Sequence, residues 1–309
     1  MPDVLEAGSV GDASPPDPPT FRGTAVAVIP ARLKSERFPE KVLADQTGRP
    51  LVQHVVDQVR RCGRLTDVVV AADDERIVEA LRPFGTRVVL TDPNHPSGTD
   101  RVAEAAAGLD ADIVVNVQGD EPEIDPAAVD RLVDELGASS APMATLATEF
   151  PSNEDDSNPN LVKVARSLRG LALYFSRSPI PYDRDGISKG QGRPVATTQA
   201  TTNSSEVDVE VSSNPKPPPA ASHHRGTPPG LLLHVGVYAY RHRFLMELTQ
   251  LAPTPLEQLE KLEQLRVLEH GHAIAVAVVE HRSHGIDTPQ QYAAFVQRWS
   301  QMQSGSRSR

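Results

Sequence analysis

The feature that most constrains this chain is the alternation of short apolar runs with helix-spaced segments through its first half. The runs lie at residues 24–30, 67–72, 86–90 and 112–117 and are rich in Val, Ala and Ile. Continuous apolar runs of this length read as strands covered on both faces. Helical patterns follow each of them. In residues 51–61, Leu51, Val55, Val56 and Val59 share one face, and further helices are expected over 75–81, 100–109 and 126–136. Strands separated by helices predict an α/β fold in three layers, with a mostly parallel central sheet covered by helices. Ligands of such sheets collect at the carboxyl ends of the strands, so the loops that follow the strands carry the interest.

After Met143 the pattern changes. Segments 162–165 and 171–175 flank Arg169-Gly170 and predict a hairpin, and so a smaller mixed lobe. Strands are expected over 231–240 and 273–279, and helices over 256–270, stopped by Gly271, and over 289–299.

Composition divides the chain further. Of 28 prolines, five fall in residues 1–22 and seven in 187–230. Neither segment carries enough apolar surface to offset its ordering entropy. The expected organisation is a disordered tail over 1–22, one domain over 23–303 with a flexible insert at about 187–230, and a frayed end over 304–309. No apolar run reaches membrane-spanning length, so no membrane segment is expected. The opening residues are acidic and lack the pattern of a secretory signal. A lone Cys62 supports neither a disulfide framework nor a zinc cluster and fits a reducing cytoplasm. A net charge of −10 argues against nucleic-acid binding.

Against that acidic background, the loop after the first strand stands out. Residues 32–41 hold Arg32, Lys34, Arg37 and Lys41. No glycine occurs between Gly23 and Gly48, so this is neither a dinucleotide loop nor a Walker loop. Arg32 and Lys41 at a strand end suit a triphosphate, Arg by forking two oxygens and Lys as a point charge. A solvated charged loop is the alternative. At the end of the fourth strand, Gln118-Gly119-Asp120-Glu121-Pro122 places a carboxylate at the sheet edge, either as a magnesium ligand or as a turn residue. Asp287 precedes the last helix as a second carboxylate, and either it or Thr288 can serve as the N-cap. On a continuous helix over 256–270, Glu263 falls between the faces of Leu256 and Leu259. Glu263 and Gln264 then either enter a polar pocket or sit at the helix border.

These motifs, in order, resemble the 3-deoxy-manno-octulosonate (Kdo) cytidylyltransferase family, also called CMP-Kdo synthetases. The likeness is carried by Pro30-Ala31-Arg32, Pro39 and Lys41, Ser97-Gly98-Thr99-Asp100-Arg101, the Asn116–Pro122 run and Asn158–Lys163. It continues in Tyr174–Arg184, His234-Val235-Gly236-Val237-Tyr238, Pro255–Arg266 and Asp287-Thr288-Pro289. The resemblance implies a nucleotide-diphospho-sugar transferase-like fold. It implies transfer of CMP from CTP to the anomeric hydroxyl of Kdo, with release of pyrophosphate, for lipopolysaccharide biosynthesis. Related alternatives are a cytidylyltransferase for another acidic sugar, such as a sialic acid or amino-Kdo, and a non-catalytic nucleotide-binding protein.

By motif position, Arg32, Lys41, Asp120 and Asp287 form the implied catalytic set. Arg32 and Lys41 would hold the triphosphate, Ala31 and Ser97 would line the cytosine–ribose end, and Asp120 and Asp287 would bind Mg²⁺. Gln118, Arg177, His234, Tyr238, Glu263 and Gln264 would line the Kdo pocket, with Arg177 facing the sugar carboxylate. A cytoplasmic homodimer is implied as well. The tail and the insert depart from the family pattern, and the insert is expected to be a dispensable surface loop.

Overall fold

A computed structural model of the protein describes residues 21–182, 184, 230–280, 282–283 and 285–306. The chain runs β1 (Ala25–Ala31), α1 (Leu51–Val59), β2 (Asp67–Ala72), α2 (Glu75–Leu81), β3 (Arg87–Leu90), α3 (Gly98–Ala106) and β4 (Ile113–Asn116). It continues through α4 (Pro126–Ala138), β5 (Met143–Glu149), β6 (Lys163–Arg166), β7 (Ala172–Ser176), β8 (Leu232–Arg241) and α5 (His242–Leu248). The last elements are α6 (Pro255–Glu260), α7 (Gln264–Glu269), β9 (Ile274–Val279) and α8 (Pro289–Ser306).

The strands form one sheet in the order β3-β2-β1-β4-β8-β5-β9. Its first four strands are mutually parallel, as the βα alternation dictates, and β5 and β9 form a second parallel pair. Between these halves β8 runs antiparallel to both β4 and β5. The predicted hairpin, β6 and β7, joins the same sheet through β8 instead of forming a separate body. Successive residues of β1 alternate between the two faces. Ala25, Ala27 and Ile29 pack with α1 and α4 through Val55, Val59, Leu132 and Leu136, while Val26 and Val28 pack with α3 and α5 through Val102, Ala106 and Leu245. Burying each Val or Leu contributes about 1.5–3 kcal/mol, which makes these two layers the main source of stability.

Three expectations are corrected. The helix over 256–270 is two short helices, because Lys261 adopts the left-handed conformation (φ 54°, ψ 47°) and ends α6. The break is held by Arg266, which donates to both carboxylate oxygens of Glu257 at 2.6 and 2.9 Å. Leu259 is consequently 80 % exposed and marks no buried face. At the N-terminal side, residues 21 and 22 belong to the fold and not to the tail. The backbone N–H of Phe21 donates to Asp134, and its ring packs beside Gly137 against the core. At the other end, α8 runs to Ser306, through half of the stretch expected to fray. The insert and residues 1–20 lie outside the described residues.

Helix α8 is docked for a reason that bears on the site. Tyr292 and Phe295 cluster with Leu51 and Ile286, and His54 meets the rings of Phe295 and Trp299 edge-on at 5.0 and 4.5 Å. Burial lowers the His54 pKa to about 4, so the ring packs as a neutral group. The Tyr292 hydroxyl accepts a hydrogen bond from the Gln46 amide at 2.9 Å. This docking carries the segment before α8 to the carboxyl ends of β1 and β4.

Candidate active site

Three loops meet at those strand ends. The first, leaving β1, is pinned at its base by Asp73, which accepts from the Leu33 amide at 3.1 Å, and is closed by the Glu40 amide on the Leu33 carbonyl. It presents Lys41 at the start of a 3₁₀ turn. The second follows β4. Here Gly119 passes so close to β1 that a Cβ would lie 2.6 Å from the Pro30 carbonyl oxygen, a contact no other residue could make. The third leads into α8, and its Ile286 amide donates to the Asp120 carbonyl at 2.8 Å.

These loops bring Lys41, Asp120 and Asp287 together. The Lys41 ammonium donates to Asp120 Oδ2 at 2.5 Å, to Asp287 Oδ1 at 3.0 Å and to the Ile286 carbonyl at 3.0 Å. Burial alone would lower the Lys41 pKa, but the two carboxylates outweigh it and hold the ammonium above its ordinary value. Arg37 pairs with the second oxygen of Asp287 at 2.9 Å. Thr288 settles the capping question left open by the sequence. Its hydroxyl accepts from the Gln291 amide, while the Gln291 side chain accepts from the Asp287 and Thr288 amides. Thr288 therefore caps α8 and leaves the Asp287 carboxylate to face Lys41.

A cleft of about 910 Å³ opens over this group, lined by Arg32, Lys34, Arg37, Lys41, Gln118, Asp120 and Asp287. Arg32 and Gln118 also border a smaller cavity of about 200 Å³, together with Tyr238, Glu263 and Gln264. Those last three residues in turn line a hollow of about 400 Å³ with His234, Asn160, Lys261 and Arg282. Shared walls thus join three spaces into one trough along the sheet edge. One end is densely charged, with Arg32, Lys34, Arg37, Lys41 and Arg76 set among Glu36, Glu40, Asp120 and Asp287, and the other is rich in hydrogen-bonding side chains.

The far wall of the trough depends on an irregularity in β8. Tyr238 pairs with Thr145 but Val235 pairs with the next residue, Leu146, so Gly236 and Val237 bulge out of register. The Thr145 hydroxyl lies 3.0 Å from His234 Nε2 and also reaches the Val235 and Val237 carbonyls. Thr145 is fully buried and went unnoticed in the sequence because nothing there marks the bulge. Burial lowers the His234 pKa to about 3 and raises that of the Tyr238 hydroxyl, so both face the trough uncharged. Burial also raises the Glu263 pKa, against the Thr99 hydroxyl that hydrogen-bonds it. Gln264 is 5 % exposed, and among the described residues its side-chain nitrogen has no hydrogen-bond partner.

Three expected residues line none of these three spaces. Ala31 is buried in β1, between Pro30 and Arg32, which do line the cleft. Ser97 caps α3, its hydroxyl accepting from the Asp100 amide at 3.1 Å and donating to the Asp100 carboxylate at 2.7 Å. Arg177 is not brought into the trough. Its guanidinium donates to the carbonyls of Glu260, Pro159 and Lys261, which anchors β7 to the break between α6 and α7. Backbone carbonyls thus engage three of its five N–H donors.

The donor set can be tested against a divalent ion. Asp120 and Asp287 already converge on one cation, the Lys41 ammonium. Among the described residues no cluster of three or more His, Cys, Asp or Glu side chains could cage a metal. Two hard carboxylates beside a charged cleft fit magnesium, which keeps water and substrate phosphate among its ligands.

A parallel-stranded nucleotide site of this form, with a cationic β1 loop in place of a glycine-rich one, defines a class. The cytidylyltransferase family profile matches residues 26–274. Within that class the chain belongs to the 3-deoxy-manno-octulosonate cytidylyltransferase family. It is 44% identical over 281 residues to the enzyme of that description from Geobacter metallireducens, covering 90% of this chain and 98% of the relative. It is 44% identical over 271 residues to that from Vibrio parahaemolyticus, covering 86% and 94%. Among solved structures, a CMP:2-keto-3-deoxy-manno-octonic acid synthetase complexed with CTP superposes with a TM-score of 0.73 at 34% identity, covering 90% of this chain and 99% of that one. A 4-diphosphocytidyl-2C-methyl-D-erythritol synthase, at 14% identity and a TM-score of 0.52 over 90% and 98% of the two chains, shares the fold. The chain is thus a nucleotidyltransferase. No helix among the described residues is long and apolar enough to cross a membrane.

Proposed function

We propose that the trough joins CTP at its charged end to Kdo at its polar end, releasing pyrophosphate. Transfer of CMP to Kdo, activating the sugar for lipopolysaccharide biosynthesis, is the activity of the family. The observation that carries the residue-level reading is the meeting of Lys41, Asp120 and Asp287 where the triphosphate cleft passes into the polar cavity.

In this reading Arg32 and Lys41 hold the phosphates, with Arg37 at the rim, and the backbone at Ala31 and the capped start of α3 at Ser97 border the nucleoside. Asp120 and Asp287 would hold Mg²⁺, which when bound neutralises phosphate charge and favours an ionised sugar hydroxyl. Gln118, Glu263 and Gln264 then orient the sugar. The unpartnered nitrogen of Gln264 supports this, since a buried donor without an acceptor costs free energy that a sugar oxygen would recover. Neutral His234 and Tyr238 contribute hydrogen bonds without charge. Arg177 enters with a changed role, holding the wall between β7 and α6 through its three carbonyls.

The anomeric oxygen attacks the α-phosphorus, its bond to phosphorus forms as the bond to the pyrophosphate oxygen breaks, and the hydroxyl proton passes to solvent. Positioning and charge neutralisation supply the rate. The homodimer and the cytoplasmic location belong to the same proposal. Leu173 of β7 and Leu259 of α6 stand exposed and offer apolar surface for a second copy.

The test is pyrophosphate release by the purified protein with CTP and Mg²⁺, offered Kdo, a sialic acid or no sugar. Release with Kdo alone is expected. Release with the sialic acid alone would reassign the acceptor, and no release with any sugar would overturn the catalytic reading.

A further inference from the structure

We infer that Glu121 is a positioning residue: through Ser283 it fixes the loop that carries Asp120 against the loop that carries Asp287. The inference rests on the proposed roles of those two aspartates. Glu121 is 8 % exposed and lines none of the three spaces of the trough. Its Oε2 accepts a hydrogen bond from the Ser283 hydroxyl at 2.6 Å. Ser283 stands four residues before Asp287 and Glu121 directly after Asp120, so the bond spans the two carboxylate-bearing loops from behind.

Among the described residues, three links join these loops. One is the backbone bond from the Ile286 amide to the Asp120 carbonyl. The second is the Lys41 ammonium, which holds both carboxylates and the Ile286 carbonyl. The Lys41 link lies in the cleft, where phosphates compete for it. The Glu121–Ser283 bond is out of reach of the substrates and holds whether or not Lys41 lets go. A buried carboxyl is costly unless it is hydrogen-bonded, and the partner found here is the one that sets the distance between the two loops. Groups that orient metal ligands from behind change metal affinity or activity by about 10–100-fold when removed.

The experiment compares wild type, Ser283→Ala, Glu121→Gln and Asp120→Asn by two readouts. These are Mn²⁺ affinity of the CTP-bound protein by electron paramagnetic resonance, and kcat and KM for CTP at saturating Mg²⁺. Ser283 is partly exposed, so its loss leaves the fold in place. Ser283→Ala is expected to weaken Mn²⁺ binding about tenfold and to lower kcat by about 10–30-fold, with KM for CTP within about threefold. Glu121→Gln keeps an acceptor for the Ser283 hydroxyl and should stay within about threefold of wild type on both readouts. Wild-type Mn²⁺ affinity and kcat in Ser283→Ala, beside lost Mn²⁺ binding in Asp120→Asn, would overturn the positioning role alone. Unchanged Mn²⁺ binding in Asp120→Asn as well would overturn the metal reading and this inference with it.

Discussion

Asp120→Asn is expected to lower kcat by about 10³-fold or more while the protein stays folded. The substitution keeps the shape of the side chain and removes its charge. Polarisation of a phosphoryl oxygen by a bound metal stabilises a transition state by several kcal/mol. About 1.4 kcal/mol is a factor of ten, so loss of one of the two proposed carboxylate ligands reaches three decades. Folding is spared because Lys41 keeps its bonds to Asp287 Oδ1 and the Ile286 carbonyl. The pair is largely buried, with side-chain exposures of 12% for Lys41 and 25% for Asp120, but the amide of the variant keeps an oxygen to accept from the ammonium, so the loss in stability is about 1 kcal/mol. For a domain of this size that is a melting shift of roughly 2–4 °C. Pyrophosphate release and a thermal melt measure the two effects separately. Turnover within tenfold of wild type would remove Asp120 from the metal site.

Lys41→Met has a two-sided outcome, which makes it the more discriminating substitution. Without the ammonium the triphosphate loses a charge-assisted donor, and kcat/KM for CTP is expected to fall about 10²–10³-fold. At the same time the two aspartates lose the cation they hold in the free protein. Like charges facing one another favour any cation that replaces it, so Mn²⁺ should bind the nucleotide-free variant more tightly than wild type. Titration of each protein with Mn²⁺ in the absence of CTP checks this. Weaker binding in the variant would mean that the carboxylates and Lys41 do not share one cation position.

Much of this was legible in the sequence where the signal was local. The parallel half of the sheet follows from four apolar runs, and the cationic loop was visible because it breaks so sharply with an acidic chain. Asp120 and Asp287 stand out by motif, but the geometry that joins them does not. Lys41 and Asp287 lie 246 residues apart, and no pattern says that one ammonium spans both carboxylates. The break after α6 was hidden for a different reason. Residues 256–270 contain neither Gly nor Pro, and local propensity favours one helix. The Glu257–Arg266 pair and the burial of Leu262 and Leu265 override that propensity and turn Glu263 and Gln264 toward the trough. Arg177 shows the opposite case. Its residue type suits a carboxylate, yet the fold supplies three carbonyls first.

Anomalous diffraction from a crystal grown with Mn²⁺ and CTP locates the metal relative to the two carboxylates and Lys41. An anomalous peak is expected between the Asp120 and Asp287 carboxylates, with the Lys41 ammonium moved onto the phosphates. A peak elsewhere, or Lys41 still bridging both aspartates with CTP in the cleft, would contradict this reading.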